Sequence, residues 1–354
     1  MTTRIALVFA IVMMCVMTLA VGYKKLVMDR RNADPAPIEE PVPPEPDEPQ
    51  PEPEATFEDA VSSITSQELK DHVVHLASEQ MDGRMSGTAG CDTARDYLKK
   101  ELESYGFEVM LDEFRVSRGD GTAENVYAWI EGSELPDEVV VVGAHYDHIG
   151  SSRAGIFYGA DDNASGTAAV LEMAEALAPL KGKNKRTIVF QLYAGEELGL
   201  VGSSHYCEKP KFPKGSPSLS KHIFMENLDM IGYAKFTGAV TETETPIDDE
   251  LDALKQKYPF ASRVTSYGTS GGASDHAPFA RRQVPSVFLH TGTHPHYHRT
   301  TDTPEKLNYD GMEDIAQFGL ELLWKICQDG VATQAVLDEK EIEWLDHGVS
   351  PFLR

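Results

Sequence analysis

Cysteine is scarce in these 354 residues: Cys15, Cys91, Cys207 and Cys327 are all there are, and no two stand at CxxC spacing. A disulfide scaffold and a thiolate zinc finger are both excluded. Basic residues are short as well, 32 Lys and Arg against 57 Asp and Glu, for a net charge of −25. Residues 1–56 hold five bases and nine acids, so most of the deficit lies in residues 57–354. A folded region this acidic lacks the basic patches that phosphate contacts need, which excludes nucleic acid as a partner. No repeat recurs at a fixed period. The glycine-rich stretch MDGRMSGTAG at 81–90 lacks the Lys-Ser/Thr ending of a phosphate loop.

What is present starts with an uncharged run, Ile5 to Gly22 (IALVFAIVMMCVMTLAVG), at the lower limit of length for crossing a bilayer. Residues 1–31 are expected to form a signal peptide or membrane anchor that places the rest of the chain outside the cytoplasm, anchored, secreted or periplasmic. Ala20, with Thr18 two positions earlier, offers a small-residue cleavage site. Lys24, Lys25, Arg30 and Arg31 follow the run and only Arg4 precedes it, a bias that by the positive-inside rule opposes export. Cys15 falls inside the run and reads as apolar filler. Residues 32–56 hold nine prolines, eight acids and no base, the composition of an extended, disordered linker reaching at most roughly 75 Å. The remainder divides into a catalytic domain over 57–330 and a tail, 331–354, whose role is unread.

Within 57–330, apolar spacing predicts helices over 66–80, 92–106, 163–180, 198–206 and 313–327. Asn163 and Ser165 are candidate caps of the third. A continuous apolar run at Val139–Ala144 predicts a buried strand, Thr187–Tyr193 a second buried strand, and Ile223–Asn227 and Val284–Leu289 further strands. Their alternation with helices indicates an α/β domain, a mostly parallel central sheet with helices on both faces.

The polar residues fall in a pattern. His145-Tyr146-Asp147-His148 follows the first of these strands, Gly195-Glu196-Glu197 the second, Asp229 the third, and the stretch His290 to His298 the fourth. Asp161, Asp162 and Asn163 stand at a helix entry. Ligands of open α/β sheets bind outside the carboxyl ends of the strands. Taken singly, a double Asp is commonly a helix cap, adjacent glutamates a solvated face, and a strand-end histidine a hydrogen-bonded structural residue. Taken together, buried carboxylates with only imidazoles nearby require a cation, and imidazole mixed with carboxylate favours zinc.

HYDH, GADDNASG, YAGEELGLVGS, NLDMIG, SDHAPF and HYHRTTDT occur in this order, and the chain from 57 to about 327 resembles the di-zinc exopeptidases of metallopeptidase family twenty-eight. That family includes aminopeptidases, glutaminyl cyclases and transferrin-receptor relatives. The resemblance implies two Zn2+ per chain, His145 and Asp229 on one, Glu197 and His298 on the other, and Asp162 bridging both together with a water. It implies Glu196 as general base and Asp147 as the carboxylate that orients His145. The implied activity is release of N-terminal residues from peptides with a free N-terminus. Ser274, Asp275 and His276 are candidates for the substrate side, and Tyr297 for a pocket wall. His294 and His296 receive no role from the resemblance. The segments 151–158 and 264–277 are expected to shape side-chain preference.

Three other readings stay open. A metal-free binding module would have lost ligands, and all five plus Glu196 are present. A one-zinc glutaminyl cyclase fits the retained set less well. A carboxypeptidase needs a base to hold the substrate carboxylate, for which Arg153, Arg281, Arg282 and Arg299 are candidates.

Overall fold

The computed structural model describes residues 2–31, 54–117, 121–233, 240–243, 247, 251, 254, 256–258 and 274–331. The chain divides into two units, Met1–Pro53 and Glu54–Arg354. In the first, helix α1 (Thr2–Arg31) carries the apolar run. Its segment Ala10–Asp29 is long and apolar enough to cross a membrane, and its side chains are exposed. Most of the expected linker, residues 32–53, and the tail from 332 onward lie outside the described residues.

In the second unit, side-chain alternation along the strands builds two apolar layers. On β3 (Leu135–His145), Val140, Val142 and Ala144 join one cluster while Val139 and Val141 join the other. On β6 (Arg186–Tyr193), Ile188, Phe190 and Leu192 oppose Val189 and Tyr193 in the same way. A strand buried on both faces favours apolar residues on both sides, and these strands are largely apolar, with Thr187 and Gln191 of β6 the buried polar exceptions. Between β3 and β6 lies α5 (Gly166–Leu177), packed on both.

The seven-stranded sheet runs β1 (Val109–Arg115), β2 (Thr122–Ile130), β6, β3, β7 (His222–Leu228), β9 (Ser286–His290), β8 (Val240–Thr243). Its four central strands, β6-β3-β7-β9, are mutually parallel; β1, β2 and β8 add antiparallel pairs at the two edges. A separate two-stranded ribbon joins β4 (Ser151–Ser152) to β5 (Gly155–Ile156). One face of the main sheet is covered by α2 (Phe57–Ser63), α3 (Ser66–Leu76), α4 (Ala89–Ser104), α5 and α8 (Tyr309–Asp329). The other carries α6 (Val201–Glu208) and the single turn α7 (Ala277–Ala280), whose Tyr206, Cys207 and Phe279 fill the second cluster. Cys91, Cys207 and Cys327 are buried thiols.

The parallel register brings the working ends of the strands level. His145 pairs with Tyr193, Gly143 with Asn227, and Leu228 with Leu289. The residues that follow all four strands therefore emerge along one edge of the sheet.

Several element ends differ from the expected ones. The helix expected over 66–80 stops at Leu76, and a 3-10 turn over Glu79–Arg84 follows in which Asp82, Gly83 and Arg84 have positive φ. The helix expected from Asn163 starts at Gly166, whose N–H is capped by Asn163 Oδ1 at 2.9 Å. Residues 160–165 before it form an irregular turn that presents Asp162. One buried group has no counterpart in the pattern. Glu226 of β7 points into the apolar layer against α8, where a methyl group added at Gly319 would collide with its Oε1. Among the described residues neither of its oxygens has a hydrogen-bond partner, and burial pushes its carboxyl well above the usual range.

Candidate metal centre

At the carboxyl edge of the sheet two groups of candidate metal donors share Asp162: His145, Asp162 and Asp229 form one, His148, Asp162 and Glu197 the other, and His298 lies beside the second. His145 Nε2 lies 3.4 Å from Asp162 Oδ1 and 3.4 Å from Asp229 Oδ1. His298 Nε2 lies 3.1 Å from Asp162 Oδ2 and 3.3 Å from Glu197 Oε2. Two donors held tetrahedrally at zinc distances of about 2.0–2.1 Å are themselves about 3.3 Å apart, so these four histidine–carboxylate contacts have the spacing of atoms that share an ion. His145, Asp162 and Asp229 are buried, and His145 Nε2, Asp162 Oδ2 and Asp229 Oδ1 lack hydrogen-bond partners. Buried acceptors turned toward one point without donors are destabilising unless a cation joins them. Imidazole and carboxylate donors in this mixture fit zinc.

The supports of the ligands come from distant parts of the chain. Asp147 is fully buried; its Oδ1 lies 3.5 Å from His145 Nδ1 and accepts the Glu196 N–H at 3.2 Å. Its other oxygen accepts from Ser86 Oγ at 2.9 Å, and that hydroxyl in turn accepts the Gly195 N–H at 2.7 Å. Arg84, wholly buried, spends its guanidinium on four backbone carbonyls, those of Leu76, Tyr146, Tyr158 and Gly159, at 2.7–2.9 Å. The glycine-rich stretch at 81–90 is thus the template on which the His145 and Asp162 loops are cast. Asp302 accepts the backbone N–H groups of Asp161 and Asp162 at 3.1 and 3.2 Å, and Asp161 meets Gly232 N–H and His294.

The adjacent glutamates are pushed in opposite directions. Burial, with Asp275, Asp229 and Glu197 nearby, pushes the Glu196 carboxyl up to about 10 against the pull of His145. Burial acts on Glu197 too, but hydrogen bonds from His148 and His298 bring it below the usual carboxylate range.

The residues expected on the substrate side are placed as follows. Ser274 is buried, donates to Asp229 Oδ2 at 2.7 Å and accepts from Asn227 Nδ2 at 2.8 Å. Asp275 is fully buried and pushed up to about 7, by burial first and by Asp147 and Asp229 as well. His276 is buried and stacks on Phe288 with ring centroids 4.6 Å apart. Tyr297 is 39% exposed and stacks on His298 at 3.9 Å. Residues 264–273 of the second expected specificity segment lie outside the described residues. His148 went unassigned although it belongs to the HYDH motif; its Nδ1 is 2.7 Å from Glu197 Oε1. Asp302 stands in the HYHRTTDT motif and Arg84 and Ser86 in the glycine-rich stretch, but no role was assigned to them, because these partners are 61 residues or more away for Ser86 and 140 or more for Asp302.

The chain is similar to several known proteins. The leupeptin-inactivating enzyme 1 of Streptomyces exfoliatus is 33% identical over 219 residues, 61% of this chain and 46% of that protein. A probable leucine aminopeptidase of Trichophyton verrucosum is 25% identical over 273 residues, 75% of this chain and 74% of that one. The chain spans about half the length of several curated relatives it matches. In fold it is similar to BSAP, a zinc aminopeptidase from Bacillus subtilis, with a TM-score of 0.63 at 16% identity over 75% of this chain and 96% of that one. Residues 125–323, which contain all five candidate ligands and Glu196, match peptidase family M28, and over that majority of its length the chain belongs to the family.

Proposed function

We propose that the Glu54–Arg354 unit is a di-zinc aminopeptidase that removes N-terminal residues from peptides, and that helix α1 directs it out of the cytoplasm as an anchor or a cleaved leader. The observation that carries this reading is the pair of triads joined at Asp162, each at ligand spacing. His145, Asp162 and Asp229 would hold one ion, and Asp162, Glu197 and His298 the other. When bound, two such ions polarise a carbonyl and acidify a water between them.

The protein's own groups do the rest. Glu196 stands outside both triads, tied through its N–H to the Asp147 that steadies His145. Its carboxyl takes a proton from the attacking water and passes it to the leaving amine. Ser274 acts on Asp229, holding one oxygen so that the other is directed at His145. Tyr297, stacked on His298 and part-exposed, forms a wall for the substrate side chain.

Orientation of the substrate follows from charge. No Lys or Arg among the described residues forms an ion pair with a ligand carboxylate, so the site favours a free, positively charged N-terminus over a C-terminal carboxylate. Arg153, Arg281, Arg282 and Arg299 are exposed, and Arg282 turns to the Pro278 carbonyl at 3.1 Å.

The test uses the full chain in detergent with added zinc and matched peptides carrying free or acetylated N-termini, with products identified by mass spectrometry. Release of N-terminal residues from the free-amine set alone is expected. Trimming of acetylated peptides from the other end would replace the reading with a carboxypeptidase, and cyclisation of an N-terminal glutamine without hydrolysis would replace it with a cyclase.

A further inference from the structure

Each oxygen of Glu197 has a different neighbour. Oε2 lies 3.3 Å from His298 Nε2, the spacing of two atoms on one ion, whereas Oε1 lies 2.7 Å from His148 Nδ1, the length of a direct hydrogen bond. His148 Nδ1 is also 3.8 Å from Asp162 Oδ2, so His148, Asp162 and Glu197 lie close enough to face one ion, but the 2.7 Å contact is shorter than the roughly 3.3 Å between two donors on one zinc. A carboxylate only accepts, so Nδ1 carries the proton and donates it to Glu197.

The ring that makes this bond is held firmly. His148 is fully buried, and its backbone N–H donates to the Arg84 carbonyl at 3.2 Å. It packs edge-on to His298 with centroids 5.8 Å apart. Gly159 lies against its face: a Cβ there would sit 2.6 Å from the ring carbons Cγ and Cδ2, and the φ of +58° at Gly159 further favours glycine.

We propose that His148 is a positioning residue of the second metal site: it occupies Glu197 Oε1, so that Glu197 offers only Oε2 toward Asp162 and His298, and is not itself a ligand. The inference rests on the di-zinc reading. Outer partners that fix a ligand's orientation typically change metal affinity 10–100-fold when removed.

The experiment measures zinc content of the full-length protein in detergent across a series of buffered free-zinc concentrations, for wild type, His148→Ala, His148→Asn and His148→Gln. Asparagine places an N–H near the position of Nδ1, and glutamine places one near Nε2. Expected is a wild type that binds two zincs, a His148→Ala chain whose first zinc is unchanged and whose second is weakened roughly 10–100-fold, recovery in His148→Asn, and none in His148→Gln. Rescue by one amide and not the other, confined to one of two zincs, is an effect that loss of packing would not produce. Where the alanine variant fails to fold by circular dichroism, the two amides decide. Unchanged binding of the second zinc in the alanine and glutamine variants overturns the proposal. So does an asparagine variant as deficient as His298→Ala, which would make His148 a ligand. A wild type that binds fewer than two zincs overturns the di-zinc reading itself and this inference with it.

Discussion

Replacing Glu226 by glutamine removes a proton equilibrium from the apolar layer while keeping the side chain's shape. In the fold the carboxyl is buried between β7 and α8 without a partner for either oxygen among the described residues, and burial alone pushes its pKa well above the usual value. The unfolded chain titrates this group near the ordinary value of about 4.3. Above that pH the folded state therefore binds more protons than the unfolded state, and stability falls as pH rises. While the carboxyl stays protonated in the fold, the loss is about 1.4 kcal/mol per pH unit. Between pH 5.5 and 6.5 the wild type should lose that amount relative to Glu226→Gln, equivalent to roughly 2 °C or more in Tm for a domain of this size. Below pH 4.5 the two chains should converge. Urea denaturation of both proteins at pH 4.5, 5.5 and 6.5, at equal free zinc, gives the difference directly. Parallel stability curves would refute the reasoning, because they would mean that Glu226 is ionised and satisfied in the folded protein.

Glu196→Gln should keep both zincs and lose about 10²–10⁴-fold in kcat, read by zinc content and steady-state kinetics on the same sample. Retained activity would remove Glu196 from its role. Asp162→Ala should lose both ions and unfold at lower temperature, because the shared carboxylate belongs to each triad; unchanged zinc content would count against the bridge. Ser86→Ala should leave Asp147 Oδ2 and the Gly195 N–H without their partner, at about 1–3 kcal/mol for each buried group. A chemical denaturation midpoint equal to wild type would show that the Ser86 hydroxyl is not what joins the two loops.

Much of the fold was legible because it rests on local alternation. Val139–Ala144 is apolar throughout and Thr187–Tyr193 is apolar except at Thr187 and Gln191, the pattern of strands covered on both faces, and both lie within the central parallel strands. The edge hairpin of β1 and β2 was not read. Asp112, Glu113, Glu124 and Asn125 interrupt its apolar positions, and pairing between strands, more than composition, holds it in the sheet.

By itself the sequence determined that metal-binding residue types follow successive parallel strands, and therefore that they gather at one edge, because parallel strands end on the same side. It singled out the candidate ligands, since His145, Asp162, Glu197, Asp229 and His298 stand in recognisable motifs. Only the tertiary structure decided what holds those residues in place. Ser274 hydrogen-bonds Asp229; the stretch at 81–90 fastens Asp147 and the loops around it; and His148, next to Asp147 in the chain, reaches Glu197. The reason is geometric: a ligand's identity is a property of one position and its neighbours in the chain, whereas a hydrogen bond of 2.7 Å between residues 49 apart exists only once the sheet has set both loops side by side.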